Sequence, residues 1–239
     1  MTVRHRQDLL DWVGLGNPAH PFIVRAHRLR RAILRSDERL RNDYLHKTAK
    51  PKLHIGGGWH RLDGWLNTDI DLIPGVMRMD ATQPFPFADR TFQCIYTEHM
   101  IEHVPYQKGI RMLQECHRVM RREGVIRVVT PDLAAIVGLY RGKLCADQHE
   151  YLSWFCQTFA QECPPNAVSA INAMFRQWGH KFIYDEETLR ISMLAAGFGS
   201  IERRALGESR HLDLQDMEIQ QRYPKGLLNF ESVALEGRK

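Results

Sequence analysis

From Lys52 onward the chain alternates short apolar runs with polar breaks. KLHI ends in three glycines, WLNTDI in Asp69 and VMRM in Asp80, and FQCIYT and VIRVVT follow. Runs of this length, closed by Gly or Asp, predict strands. Residues 105–121 carry the spacing of a helix. DEETLRISMLAAGF reads as a second amphipathic helix, with Asp185 as its N-cap and Gly197 as its C-cap. Segments 200–206 and 228–235 close the pattern as two more strands. Strands interleaved with helices predict an α/β domain with a mostly parallel sheet and ligands at the strand carboxyl ends.

The connections are unusual. Only residues 59–66 separate the glycines from the core of the second strand, and the next connection is shorter still. Parallel neighbours normally need a crossover of about a dozen residues or more. The first two crossovers are therefore expected to be single turns or to lack a helix, which bares one face of the sheet. Upstream, Phe22, Ala26, Leu29 and Ile33 recur at helical spacing, with Arg25, Arg28, Arg31 and Arg35 largely opposite them. This amphipathic basic helix, followed by a short one from Ser36 to about Leu45, is expected to cover the bare face with Phe22, Leu29 and Ile33. Residues 134–179 are rich in helix formers and aromatics (Tyr140, Tyr151, Trp154, Phe155, Phe159, Phe175, Trp178) and broken at Pro164 and Pro165. They predict a lid or insertion of two or three helices.

Composition narrows the class. A chain of 239 residues, 44% hydrophobic and 26% charged, can bury a full core and fits one α/β domain with an elaboration. No apolar run approaches the roughly 20 residues that span a bilayer, and the N-terminus lacks the pattern of a secretory signal. Five cysteines without a CxxC pair read as reduced thiols, so a cytoplasmic protein is expected. Residues 1–50 hold nine Arg and two Lys against five Asp or Glu, so this segment accounts for the whole net charge of +5. Such an arm suits nucleic acid, an acidic membrane surface or an acidic protein, and equally a solvated helical face.

The candidate chemistry begins at Gly56, Gly57 and Gly58. Glycine directly after a strand allows a sharp turn and lets a ligand approach the backbone. Asp69 ends the adjacent strand, where a carboxylate can accept the hydroxyls of a ribose. Asp80 ends the third strand, where an exocyclic amine would need an acceptor. The dinucleotide fingerprint requires a glycine where Arg61 stands, and no GKS or GKT supplies a phosphate loop. The site suits an adenosine without phosphates.

The stretches LHIGGGWHRLDGWLNTDID, MDATQPFPFADRTFQCIYTEHMIEHV and HRVMRREGVIRVVTPD resemble the successive motifs of class I S-adenosylmethionine-dependent methyltransferases. The likeness is good over 52–132 and looser through HKFIYDEETLRISMLAAGF. It implies a Rossmann-like seven-stranded sheet, here with shortened first crossovers, N-terminal helices and a helical insertion after strand five. Residues 1–50 would be a basic helical extension and 51–239 the methyltransferase domain. S-adenosyl-L-methionine is the implied cofactor. Gly56, Gly57 and Gly58 would flank its methionyl part, Asp69 its ribose, and Asp80 and Ala81 its adenine. Thr97 and Glu98 would lie beside the methionine and the transferred methyl. The chain departs from the pattern at His54, where an acidic residue is common, and at His60, which replaces a third glycine.

Transfer from a sulfonium is an in-line displacement, so the protein mainly aligns the nucleophile; an oxygen nucleophile also needs a base. The candidates are His99 and His103 in EHMIEHV, and His180 and Tyr184 after the aromatic insertion. A hydrogen-bonded histidine holding a loop is the plainer reading of His99 and His103, and His180 is the better acceptor-side candidate. HExxH would need Glu where Met100 stands, so no metal site is expected. The acceptor expected is a small molecule or a glycan. The alternatives are RNA, met by the basic arm, and a cofactor-binding partner protein without catalysis.

Overall fold

The computed structural model describes residues 36–141, 143–218 and 230–239. Helix α1 (Ser36–Lys47) leads into β1 (Lys52–Ile55), β2 (Leu66–Asp69), β3 (Met77–Arg78) and β4 (Phe92–Glu98). A 3-10 turn (Ile101–His103), α2 (Tyr106–Val119) and β5 (Met120–Pro131) follow. Next come α3 (Leu133–Gly138), α4 (Ala146–Phe159), α5 (Ala167–Arg176), α6 (Glu186–Ala195), β6 (Ser200–Arg204), a second 3-10 turn (Leu212–Leu214) and β7 (Ser232–Arg238). The seven strands form one sheet in the order β3-β2-β1-β4-β5-β7-β6. All pairs are parallel except those of β7, which runs antiparallel between β5 and β6. This is the Rossmann-like arrangement expected, with the chain reversing its direction of progress across the sheet between β1 and β4, where α/β folds place ligands.

β4 is buried on both faces, as a central strand of such a sheet should be. On one face Leu53, Ile55, Ile95, Ile126 and Val128 pack with Met112, Leu113 and Cys116 of α2 and with Leu189 and Met193 of α6. On the other, Cys94, Tyr96, Val125 and Val129 meet Trp65 and Leu214, with Leu62, Leu206 and Met217 at the margin. No helix joins β1 to β2 or β2 to β3, as the short spacing requires. Among the described residues, that second face is therefore covered by irregular chain from the β6–β7 connection. Phe22, Leu29 and Ile33, expected there, lie outside the described residues.

Helix α1 is tied to the sheet. Tyr44 Oη donates to the carbonyls of Lys52 and Gly64 (both 3.0 Å) and accepts from the Lys52 amide (2.8 Å). Asp37 Oδ1 accepts from the amide of Arg78 on edge strand β3 (2.9 Å).

Two strand boundaries differ from expectation. β5 begins five residues before VIRVVT because Glu123 adopts φ 60° and the pairing with β4 shifts register between Phe92 and Cys94. β7 starts at Ser232, where its antiparallel ladder with β5 begins at Pro131; Leu228 lies outside the described residues. The insertion forms three helices, α3 to α5, with a core of their own around Tyr151, Leu152, Phe155, Ala173 and Met174. Its aromatics divide: Tyr151 and Phe155 are buried, while Tyr140 and Phe175 face solvent. Among the described residues, no helix is long and apolar enough to cross a membrane.

Candidate active site

The loop after β1 is fixed from the neighbouring strand. The amides of Gly56 and Gly57 donate to the Thr68 carbonyl (2.9 and 3.3 Å), and the Gly58 amide donates to Asp69 Oδ2 (2.7 Å). Gly56 and Gly58 have φ of 69° and 55°, in the left-handed region that glycine tolerates. A Cβ on Gly56 would come 2.2 Å from Met100 Cγ, and one on Gly57 would come 2.3 Å from His54 Cε1. The loop is thus packed from both sides, and its path requires the two glycines.

His54 accounts for one departure from the family pattern. Its ring is buried beneath Gly57, with Nδ1 3.0 Å from Asn67 Oδ1. Asn67 in turn holds the β1–β2 crossover through the Leu62 amide and the carbonyls of Leu62 and Trp65. Burial drives the imidazole pKa down to about 4, so the ring is neutral at physiological pH.

Asp69 caps β2, and each of its oxygens accepts one amide: Gly58 on Oδ2 and Asp71 on Oδ1 (2.9 Å). Burial pushes this carboxyl up, against the pull of those bonds. Ile70, directly after it, and Trp59, directly after the glycines, are large apolar side chains exposed beside the site. Exposed apolar groups at a strand end are what a flat ring would rest on. Asp80 follows β3. Its Oδ1 accepts both the amide and the hydroxyl of Thr82 (2.9 and 2.8 Å); burial pushes its carboxyl up, but these bonds and the nearby Lys108 and Arg78 hold it below its ordinary range. Ala81 packs at the edge of the main core.

Thr97, opposite Ile55 in the ladder, is fully buried and its hydroxyl has no hydrogen-bond partner among the described residues. An orphaned hydroxyl beside a glycine turn fits a polar ligand group arriving there. Glycine cradle, carboxylate at the end of β2, second carboxylate after β3 and orphaned hydroxyl together fit an S-adenosyl group.

Past Glu98 the chain makes a sharp corner. His99 has φ 48° and its amide donates to the Val129 carbonyl (2.9 Å). Its Nδ1 lies 3.3 Å from Glu102 Oε1 and its Nε2 3.3 Å from Ser232 Oγ. Burial alone would lower this imidazole, but the Glu102 carboxylate outweighs it and raises the pKa to about 9, so the ring is a charged donor. Glu102 is fully buried, accepts the Thr130 hydroxyl on Oε2 (3.0 Å), and its carbonyl accepts the amides of Lys181 and Phe182. His180 thus comes to lie with its ring 4.8 Å from that of His103. Its Nδ1–H donates to the Met174 carbonyl (2.6 Å), and burial lowers its pKa. Tyr184 is separate from this group. It is buried in the main core, its hydroxyl 2.7 Å from where a Gly109 Cβ would stand, and burial raises its pKa.

Sequence reasoning did not single out Thr130 or Glu231, whose carboxylate accepts the Tyr151 hydroxyl. Glu102 was visible as the acidic residue three positions after His99, a spacing that pairs side chains across one helical turn. The others meet the site only through the fold.

Sheet order, with a glycine turn and carboxylates at the strand ends beside the reversal, defines the class: a Rossmann-like α/β protein. Residues 65–128 match the family described as Methyltransferase domain. No curated protein matches the chain. Among solved structures, it is similar to a SAM-dependent methyltransferase from Archaeoglobus fulgidus, at 16% identity over 89% of this chain and 94% of that one, with TM-score 0.49. It is also similar to a SAM-dependent methyltransferase described as a possible histamine N-methyltransferase from Thermotoga maritima (15% identity, 89% and 97% covered, TM-score 0.45). A third is an S-adenosylmethionine-dependent methyltransferase from Mesorhizobium loti (14%, 79% and 90%, TM-score 0.47). Residues 65–128 thus match a methyltransferase domain, in agreement with the resemblance of the sequence motifs to class I S-adenosylmethionine-dependent methyltransferases.

Proposed function

We propose that the enzyme methylates a small-molecule or glycan-type acceptor brought to the carboxyl end of β4. The observation that carries this reading is the charge there. Glu102 lies 3.3 Å from His99, and Glu98 and Glu231 also raise its pKa, so the surroundings of this ring are acidic. A polyanionic backbone would meet repulsion at such a place, whereas a neutral or cationic small molecule would not.

In this reading Gly56, Gly57 and Gly58 hold the methionyl part of the cofactor and Asp69 takes the ribose hydroxyls. Asp80 and Ala81 meet the adenine edge, and Thr97 and Glu98 lie at the methionine end. When bound, S-adenosylmethionine supplies a methyl group on a sulfonium. What remains for the protein is to align an acceptor lone pair and exclude water. His99 and His180, both beside Glu102, are the acceptor-side residues. Tyr184 packs against Tyr106 and Phe182, whose tilted rings lie 4.7 Å apart, and so acts through them. The buried contact between Tyr151 of α4 and Glu231 before β7 ties the helical insertion to the same end of the sheet.

Formation of S-adenosylhomocysteine across a panel of small amines, phenols, sugars and an RNA pool tests the assignment. Turnover with a small acceptor, and RNA binding that is weak or vanishes with salt without methyl incorporation, is the expected result. Methyl incorporation into RNA with no small-molecule turnover would overturn it.

A further inference from the structure

Three side chains from two distant segments of the sequence converge beside the carboxyl end of β4. Glu102 and His103 come from the 3-10 turn after it, and His180 from the chain between α5 and α6. Their ligand-type atoms all lie within 4.8 Å of one another. We propose that Glu102, His103 and His180 form a binding site for a divalent first-row transition-metal ion.

The surroundings are those of a prepared ligand set. Glu102 is fully buried, and the Thr130 hydroxyl and the His99 ring fix its carboxylate, each oxygen keeping a further lone pair for a cation. The Met174 carbonyl takes the Nδ1 proton of His180, which leaves Nε2 as the lone-pair nitrogen. Ligating histidines are oriented in this way, by a carbonyl or carboxylate on the far nitrogen. The backbone holds the two segments together as well, since the amides of Lys181 and Phe182 both donate to the Glu102 carbonyl (2.7 and 3.2 Å). The approach of the ligands therefore does not depend on a free loop. His103 and His180 are half-buried, so rotation of their rings can close the remaining distance to metal–nitrogen bonds of about 2.0–2.1 Å.

Two imidazoles and one carboxylate suit Zn2+, Co2+, Fe2+ or Mn2+, whereas Mg2+ and Ca2+ prefer all-oxygen sets. Three protein ligands leave a further position open. Resting on the function proposed above, that position would take an acceptor oxygen and make it more acidic. Metal binding itself is independent of that reading.

The test uses the full chain, stripped with chelator and titrated with Zn2+ by calorimetry and with Co2+ by visible absorption. One equivalent should bind, with Co2+ giving the d–d bands of a nitrogen- and oxygen-ligated ion. His103→Gln and His180→Gln should each weaken binding at least tenfold, while His117→Gln, on α2, should leave it unchanged. Circular dichroism and thermal melting establish that the variants fold. Absence of binding to the wild-type chain, or binding that survives in folded His103→Gln and His180→Gln, would overturn the proposal. Because the readout is metal content, it separates this site from the choice of acceptor.

Discussion

His54 shows how one side chain can replace a family feature by a different physical device. Buried beneath Gly57 and bonded to Asn67, it keeps the crossover loop in place as a neutral ring. Its pKa is about 4 in the fold and 6.5 in the unfolded chain. Between those values the unfolded chain binds a proton that the native state excludes, so stability is full above pH 6.5 and falls as pH drops toward 4. The loss from this one group reaches about 2–3 kcal/mol at pH 4.5. Urea denaturation at pH 7.5 and 4.5 should show it, and His54→Gln should flatten the pH dependence by about that amount. An unchanged slope in the variant would mean that the ring is solvated.

At the scale of elements, β5 carries a buried charge network on the face where crossover helices are missing. Arg127 is fully buried and donates to Glu218 (2.6 Å), Glu236 (2.7 Å) and the carbonyls of Ala205 and Glu208. Glu218 also accepts the Gly207 amide. This network clamps the β6–β7 connection onto the sheet. Arg127→Met would leave the buried Glu218 carboxylate without its cation and Glu236 with Arg204 alone, and should cost about 3–5 kcal/mol in chemical denaturation. A loss below about 1 kcal/mol would show that the connection is held by Leu214 and its neighbours alone.

The same region marks the limit of what could be read from the sequence. The strands were legible because each is a short apolar run ending in Gly or Asp, and the missing crossovers because 59–66 is too short for a helix. The cover over the bare face was not legible. Leu206, Leu214 and Met217 are spaced with no period, and Arg127 is a lone charge in the run VIRVVT whose partners Glu218 and Glu236 lie far along the chain. Among the candidate site residues, the glycines, Asp69 and Asp80 announce themselves by lying at or just past strand ends. Glu102 with His180 does not, because their meeting depends on backbone bonds across the whole insertion.

For the whole molecule, the order β3-β2-β1-β4-β5-β7-β6 puts the reversal between β1 and β4 at the centre of the sheet. The glycine turn, Asp69 and Thr97 meet there, while the helical insertion and β7 converge on the far side of β4. In the function proposed above, one end of the sheet serves two ligands, a cofactor over β1 and β2 and an acceptor beyond β4. Asp69 carries the cofactor half of that account, with its carboxylate already ordered by Gly58 and Asp71. Calorimetric titration with S-adenosylhomocysteine is the most direct measurement. The wild-type chain should bind, and Asp69→Ala should weaken binding roughly 10- to 100-fold, the value of a hydrogen-bonded charge of about 1.5–3 kcal/mol. Equal affinity in the two proteins, with Asp69→Ala folded, would contradict the placement of the cofactor at this strand end.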